Sequence, residues 1–190
     1  MQFRCVIILR KFINETILAR GRRFVKACER DIPMKKIILA IILQVLYRAL
    51  RVLNRRDDSV AAELGQLPEG ACVRIRAGMT ADAPQLTMVR RDGGLKKGAA
   101  DQPAGIEIAF KSLSSAFRVF TGCQSIGQAY CEHRFVLAGN INETMCLVRA
   151  IETAEGYLFP RLWNRRILKR RVRKQLPTAA VYALALCGRD

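Results

Sequence analysis

The chain has 190 residues, of which 51% are hydrophobic and 26% charged, and its 33 Lys+Arg against 16 Asp+Glu give a formal net charge of +17. That length suits one domain with extensions, or two small ones. The apolar share excludes a disordered polybasic tail, and 13 Gly with 6 Pro exclude a collagen-like or low-complexity chain.

The charge is unevenly placed. Residues 1–56 hold 14 basic and 3 acidic side chains, residues 57–160 hold 10 and 12, and residues 161–190 hold 9 and 1. A near-neutral body of net −2 thus lies between flanks of +11 and +8. A groove-binding basic face is normally woven into the domain that uses it. Here the basic residues are appended to it.

From the N-terminus, residues 1–33 mix apolar and basic side chains, from Val6–Leu9 to Arg20–Arg23. Met34-Lys35-Lys36 has the form of a translation start, which sets 1–33 apart as an extension whose place in the fold the sequence leaves open. The apolar run Ile37–Tyr47 is interrupted by Gln44. It falls short of the ~20 residues that cross a bilayer. Arg48, Arg51, Arg55 and Arg56 follow it, and downstream arginines oppose export. Leu46, Tyr47, Leu50 and Leu53 share one side, so 34–56 is expected as an amphipathic basic helix.

Residues 57–160 are expected to form the body. Gly65 to Gly70, with Pro68, ends the helical region. Val73 and Ile75 alternate with Arg74 and Arg76, Leu86 and Met88 with Thr87 and Val89, and Ile106, Ile108 and Phe110 with Glu107, Ala109 and Lys111. Asp92-Gly93 between such runs predicts a hairpin. Phe135 and Leu137 form a last strand before Gly139. Helices are predicted over Ser112–Thr121, Ser125–His133 and from Asn140 to Phe159, the last with Ile141, Met145, Val148, Ile151, Ala154 and Leu158 inward and with an Asn140–Glu143 capping box. Four or five strands and three helices in this order make an α+β domain, its sheet mixed or antiparallel and covered by helices.

Chemistry-bearing motifs are few. The seven cysteines form no C-x-x-C pair and the one histidine is His133, so a metal centre is not expected, and buried reduced thiols of a cytosolic chain are. There is no G-x-G-x-x-G, P-loop or G-x-S-x-G. Cys131, Glu132 and His133 are adjacent on a helix and diverge, so His133 is expected to cap carbonyls rather than act as a base. No catalytic residue, cofactor or enzymatic activity is expected.

The runs Ile106-Glu-Ile-Ala-Phe-Lys-Ser-Leu113, Phe120-Thr-Gly122, Ile126-Gly-Gln-Ala-Tyr130 and Phe135-Val-Leu-Ala-Gly-Asn140 resemble the sterol carrier protein-two (lipid-transfer) family, over residues 65–160. The resemblance implies a five-stranded mixed sheet with helices enclosing an apolar tunnel for a lipid chain, and no catalytic residues. It leaves the ligand unassigned, and both basic flanks lie outside it. Physical chemistry agrees with a dry cavity, because each CH₂ drawn into water costs ~0.8 kcal/mol. Phe110, Phe117, Phe120, Ile126, Tyr130, Phe135, Met145, Val148 and Ile151 are the candidate lining. The same residues also suit a solid core.

Residues 161–190 are expected as a basic helix and tail. Between 161 and 174 lie Arg161, Arg165, Arg166, Lys169, Arg170, Arg171, Arg173 and Lys174, with Trp163 and aliphatic residues among them. Cations beside an interfacial tryptophan suit an anionic membrane surface. The expected role is non-catalytic lipid binding or transfer, on the cytoplasmic side and peripheral to the inner membrane face. Two alternatives stay open: nucleic-acid binding through the basic C-terminal helix, and an accessory subunit that presents lipid to a membrane-associated biosynthetic complex, such as one making quinones.

Overall fold

The structure, a computed structural model, describes residues 32–158 together with Pro177 and Val181. The expectations for residues 1–31 and for the basic segment 161–174 lie outside the described residues.

The first helix, α1 (Ile32–Arg56), extends the predicted 34–56 by two residues. Leu39, Leu43, Leu46, Tyr47, Leu50 and Leu53 recur every three or four residues and are buried, the period of one helix face. By length and composition alone this helix could cross a membrane. The count from Ile37 to Tyr47 stopped at Arg48 and so fell short of the helix's real extent. In the fold the inward stripe is committed to the core that α1 shares with the sheet. Arg51 instead stacks its guanidinium over Tyr47, 5.7 Å from the ring centre.

Asp57 then starts α2 (Asp58–Gly65) by accepting from the backbone N–H groups of Ser59 and Val60. The strands follow as β1 (Cys72–Arg76), β2 (Gln85–Arg91), β3 (Gly94–Lys97), β4 (Ile106–Phe110) and β5 (Phe135–Ala138). They form one five-stranded mixed sheet in the order β3-β2-β1-β4-β5. Only β1 and β4 run parallel; the other pairs are antiparallel. With the helices α3 (Leu113–Phe120), α4 (Ile126–Cys131) and α5 (Ile141–Leu158), this is the α+β architecture that the sterol carrier protein-two resemblance implies.

Register explains why the alternation was readable. Val73 pairs with Met88 and with Ile106, Ile75 with Leu86 and with Ile108, and Phe110 with Phe135. These apolar positions therefore fall on one face. On the other face Arg76 pairs with Glu107 at 3.3 Å. Thr87 and Val89, expected to be outward, are buried as well. The segment after β3 lies over them, so that a side chain at Gly98 would sit 2.9 Å from the Thr87 methyl. Asp92 and Gly93 both have positive φ, as a two-residue primed turn requires. Glu69 accepts from the Gly93 N–H and Asn54 donates to its carbonyl, fixing the hairpin tip to α1.

Four inward assignments, two on α5 and two among the cysteines, are corrected. Ile141 and Met145 are exposed, because they lie at the free start of α5 beside the edge strand β5. Asn140 caps α5 alone, accepting from the Asn142 N–H at 2.9 Å. Of the described cysteines Cys72 and Cys146 are buried, whereas Cys123 and Cys131 are exposed in the turns that end α3 and α4.

Candidate functional site

The chain between β4 and α5 builds one feature, step by step. Ser112 caps α3 through the Ser115 N–H. At the other end Gly122, at φ 72, lets the backbone bond back: its N–H reaches Val119 O, and that of Cys123 reaches Arg118 O. Ser125 opens α4 through the Gln128 N–H. The same termination then recurs with His133 at φ 52, its N–H on Tyr130 O and that of Arg134 on Ala129 O. This is the Schellman arrangement. His133 thus does cap carbonyls, but through its backbone and not its imidazole. Two sharp stops within a dozen residues lay α3 and α4 beside β4 and β5.

Phe110 is the centre of what they enclose. Its ring lies 5.4 Å from that of Phe120 and 5.2 Å from that of Phe135, both tilted. Around it Ile75, Ile108, Val119, Ile126, Val148 and Ile151 complete the wall of an apolar crevice. Six of the nine residues anticipated as lining therefore meet there: Phe110, Phe120, Ile126, Phe135, Val148 and Ile151. Phe117 is fully buried in the core and does not line it. Tyr130 is 55% exposed and stacks on Phe135 at 5.9 Å. Met145 is 44% exposed, one turn before Val148. Ile75 and Ile108 were legible as inward strand positions but not as wall, because only the three-dimensional pairing of β1 with β4 brings them under α5. Val119 carried no separate signal.

The crevice is narrow. Its free volume is about 20 Å³, room for roughly one water by the ~10–15 Å³ such a molecule needs. An open tunnel of lipid width, implied by the resemblance, is not its present shape. Of its walls, Val119, Phe120 and Ile126 stand on the short helices α3 and α4, and the rest on strands and on α5.

On α5 the crevice is only one of two working faces. Cys146, Arg149 and Tyr157 face α2 and its flanks: Arg149 donates to Glu63 at 2.8 Å, Cys146 to Gln66 at 3.1 Å, and Tyr157 to the buried Asp57 at 2.6 Å. Val148 and Ile151 face the crevice. Glu155, one turn past Ile151, is buried and its Oε1 has no hydrogen-bond partner. Burial, and to a lesser extent the negative charge of Glu152, push its carboxyl up to about 8. Among the described residues no group of three His, Cys, Asp or Glu is placed to hold a metal ion. The nine expected docking residues, Arg161 to Lys174 with Trp163, lie outside the described residues.

No family model and no curated protein matches the chain. Among solved structures it is similar to one titled "UbiJ-SCP2 Ubiquinone synthesis protein", at 16% identity and a TM-score of 0.43, over 64% of this chain and 99% of that one.

Proposed function

We propose that the protein binds the hydrocarbon part of a lipid in the crevice around Phe110, without catalysis, and works at an anionic membrane surface to which its basic flanks hold it. The observation that carries this reading is the convergence of nine apolar side chains from β1, β4, α3, α4, β5 and α5 on one crevice whose wall contains no polar residue. A polar wall would cost a hydrocarbon chain its transfer energy. An apolar one returns ~0.8 kcal/mol for each CH₂ removed from water. The crevice opens as the ligand enters, a minor conformation made dominant by binding. The charge partition supplies the address: a neutral body between two basic flanks is suited to resting on a charged surface with its crevice unoccupied by charge.

Native mass spectrometry of the gently purified full chain tests the first part. A bound lipid, or one-to-one uptake of an added fatty acid, isoprenoid quinone or phospholipid, is the expected result. Ile126→Trp, which fills the crevice from a half-buried position, should abolish it. A clean unliganded mass with no uptake of any of the three would refute the reading. Competition between anionic vesicles and RNA across a salt titration tests the second part. No vesicle association, with RNA binding that falls log-linearly in salt, would make nucleic acid the partner instead.

A further inference from the structure

Glu155 is a buried carboxyl on the same helix face as two residues of the crevice wall. On an α-helix the residues three, four and seven apart share a face. Glu155 is seven residues from Val148 and four from Ile151, both of which line the crevice. It is two residues from Tyr157, and so on roughly the opposite side of the helix from the face that bonds to Asp57. Its carboxyl is therefore turned to the crevice side of α5 and away from the polar contacts that α5 makes with α2.

The group is also 4% exposed, with Oε1 unpartnered. Buried polar atoms are paired in the great majority of cases, and one left unpaired calls for an occupant. We propose that the Glu155 carboxyl is the head-group site of the crevice, and that it selects single-chain amphiphiles whose head is an uncharged oxygen group, such as an ester, alcohol or quinone carbonyl. This rests on the lipid-chain reading above and names the class of lipid.

The chemistry of the surroundings gives the selection its sign. Desolvation and Glu152 keep the carboxyl protonated near neutrality. A protonated carboxyl donates one hydrogen bond and still accepts others, which matches a carbonyl or hydroxyl oxygen. A fatty carboxylate or a phosphate would instead bring a negative charge into a buried site near Glu152, against a crevice wall with no Lys or Arg in it. Such a head is excluded by repulsion and desolvation together.

The experiment offers the full chain equal amounts of methyl palmitate and palmitate at neutral pH and reads both complexes by native mass spectrometry. The ester should exceed the acid by about tenfold or more, the size of one buried hydrogen bond gained against one charge repelled. Glu155→Leu should lower ester binding by about tenfold and erase the preference, whereas Glu155→Gln, which retains a donor, should keep it. Neither variant leaves a buried charge, so both are expected to fold. Equal binding of ester and acid by the wild type, or ester binding untouched by Glu155→Leu, overturns the head-group assignment while leaving the crevice a lipid site. Uptake of neither probe overturns the head-group assignment, and the lipid reading falls with it if isoprenoid quinone and phospholipid are not taken up either.

Discussion

At the scale of single residues, the two helix stops before β5 invite direct comparison. Gly122 and His133 occupy the same left-handed position of the same motif. Glycine takes that conformation freely, whereas any residue with a Cβ pays ~1–2 kcal/mol. His133 is exposed, so its side chain recovers none of this through packing. Replacing His133 with Gly should therefore stabilise the protein, by ~0.5–1 kcal/mol after the extra freedom glycine has when unfolded. Gly122→Ala should destabilise it by ~1–2 kcal/mol. Thermal unfolding followed by circular dichroism reads both, with midpoints moving in opposite directions. A fall for His133→Gly would show that the imidazole makes a contact worth more than the strain.

Glu155 gives a second prediction at this scale. Its folded-state value of about 8 lies above the ordinary 4.5, so the native state binds the proton more tightly than the unfolded chain. Its contribution is complete below 4.5 and is lost as pH rises toward 8. Glu155→Gln removes that dependence. The stability difference, variant minus wild type, should grow across this window, level off above it and amount to several kcal/mol as an order of magnitude. Denaturant midpoints at a series of pH values measure it, and a flat difference would mean that Glu155 is solvated.

Among elements, the contact that matters most for the shape of the site is the one between the α1–α2 junction and the end of α5. Asp57 both caps α2 and accepts from Tyr157, all of it buried. One carboxylate thereby fixes the helix that carries Val148, Ile151 and Glu155. Tyr157→Phe leaves a buried carboxylate oxygen without its donor and should cost ~1.5–3 kcal/mol. Because α5 is then free to shift, crevice binding of a lipid probe should weaken as well. Unchanged unfolding midpoints would remove Tyr157 from this role. Nothing in the local pattern around Tyr157 or Asp57 announces this pair, a hundred residues apart in the chain. What the sequence made legible were the features governed by short-range rules: the period-two strands, the Asp92-Gly93 turn, the end of the last strand before Gly139, and the inward stripe of α1. Six crevice residues were legible for the same reason, being aromatic or aliphatic at inward positions of those elements. Met145 was expected inward and is exposed, because periodicity gives a face but not what lies across from it. Glu155 went unread because a charged residue on an apolar stripe stands out only once that stripe is known to border an open space.

For the whole molecule, the question is how a basic flank serves a neutral body. Residue 158 ends α5, and Val181 is fully buried in the same core as the sheet. Eight Lys and Arg lie in the sequence between 161 and 174. Each basic residue near an anionic surface contributes ~1 kcal/mol, so replacing all eight by Gln, which lowers the net charge of +17 by eight, should weaken binding to vesicles containing phosphatidylglycerol by a factor of roughly 10³ or more at low salt. Binding of the unmodified chain should fade as the screening length shrinks from ~10 Å at 0.1 M salt to ~3 Å at 1 M. Lipid uptake into the crevice from micelles should be the same in both proteins, since no basic residue lines it. Cosedimentation with vesicles and native mass spectrometry of the same two samples separate address from activity. If the eight-Gln variant lost uptake from micelles, the basic segment would belong to the binding site itself.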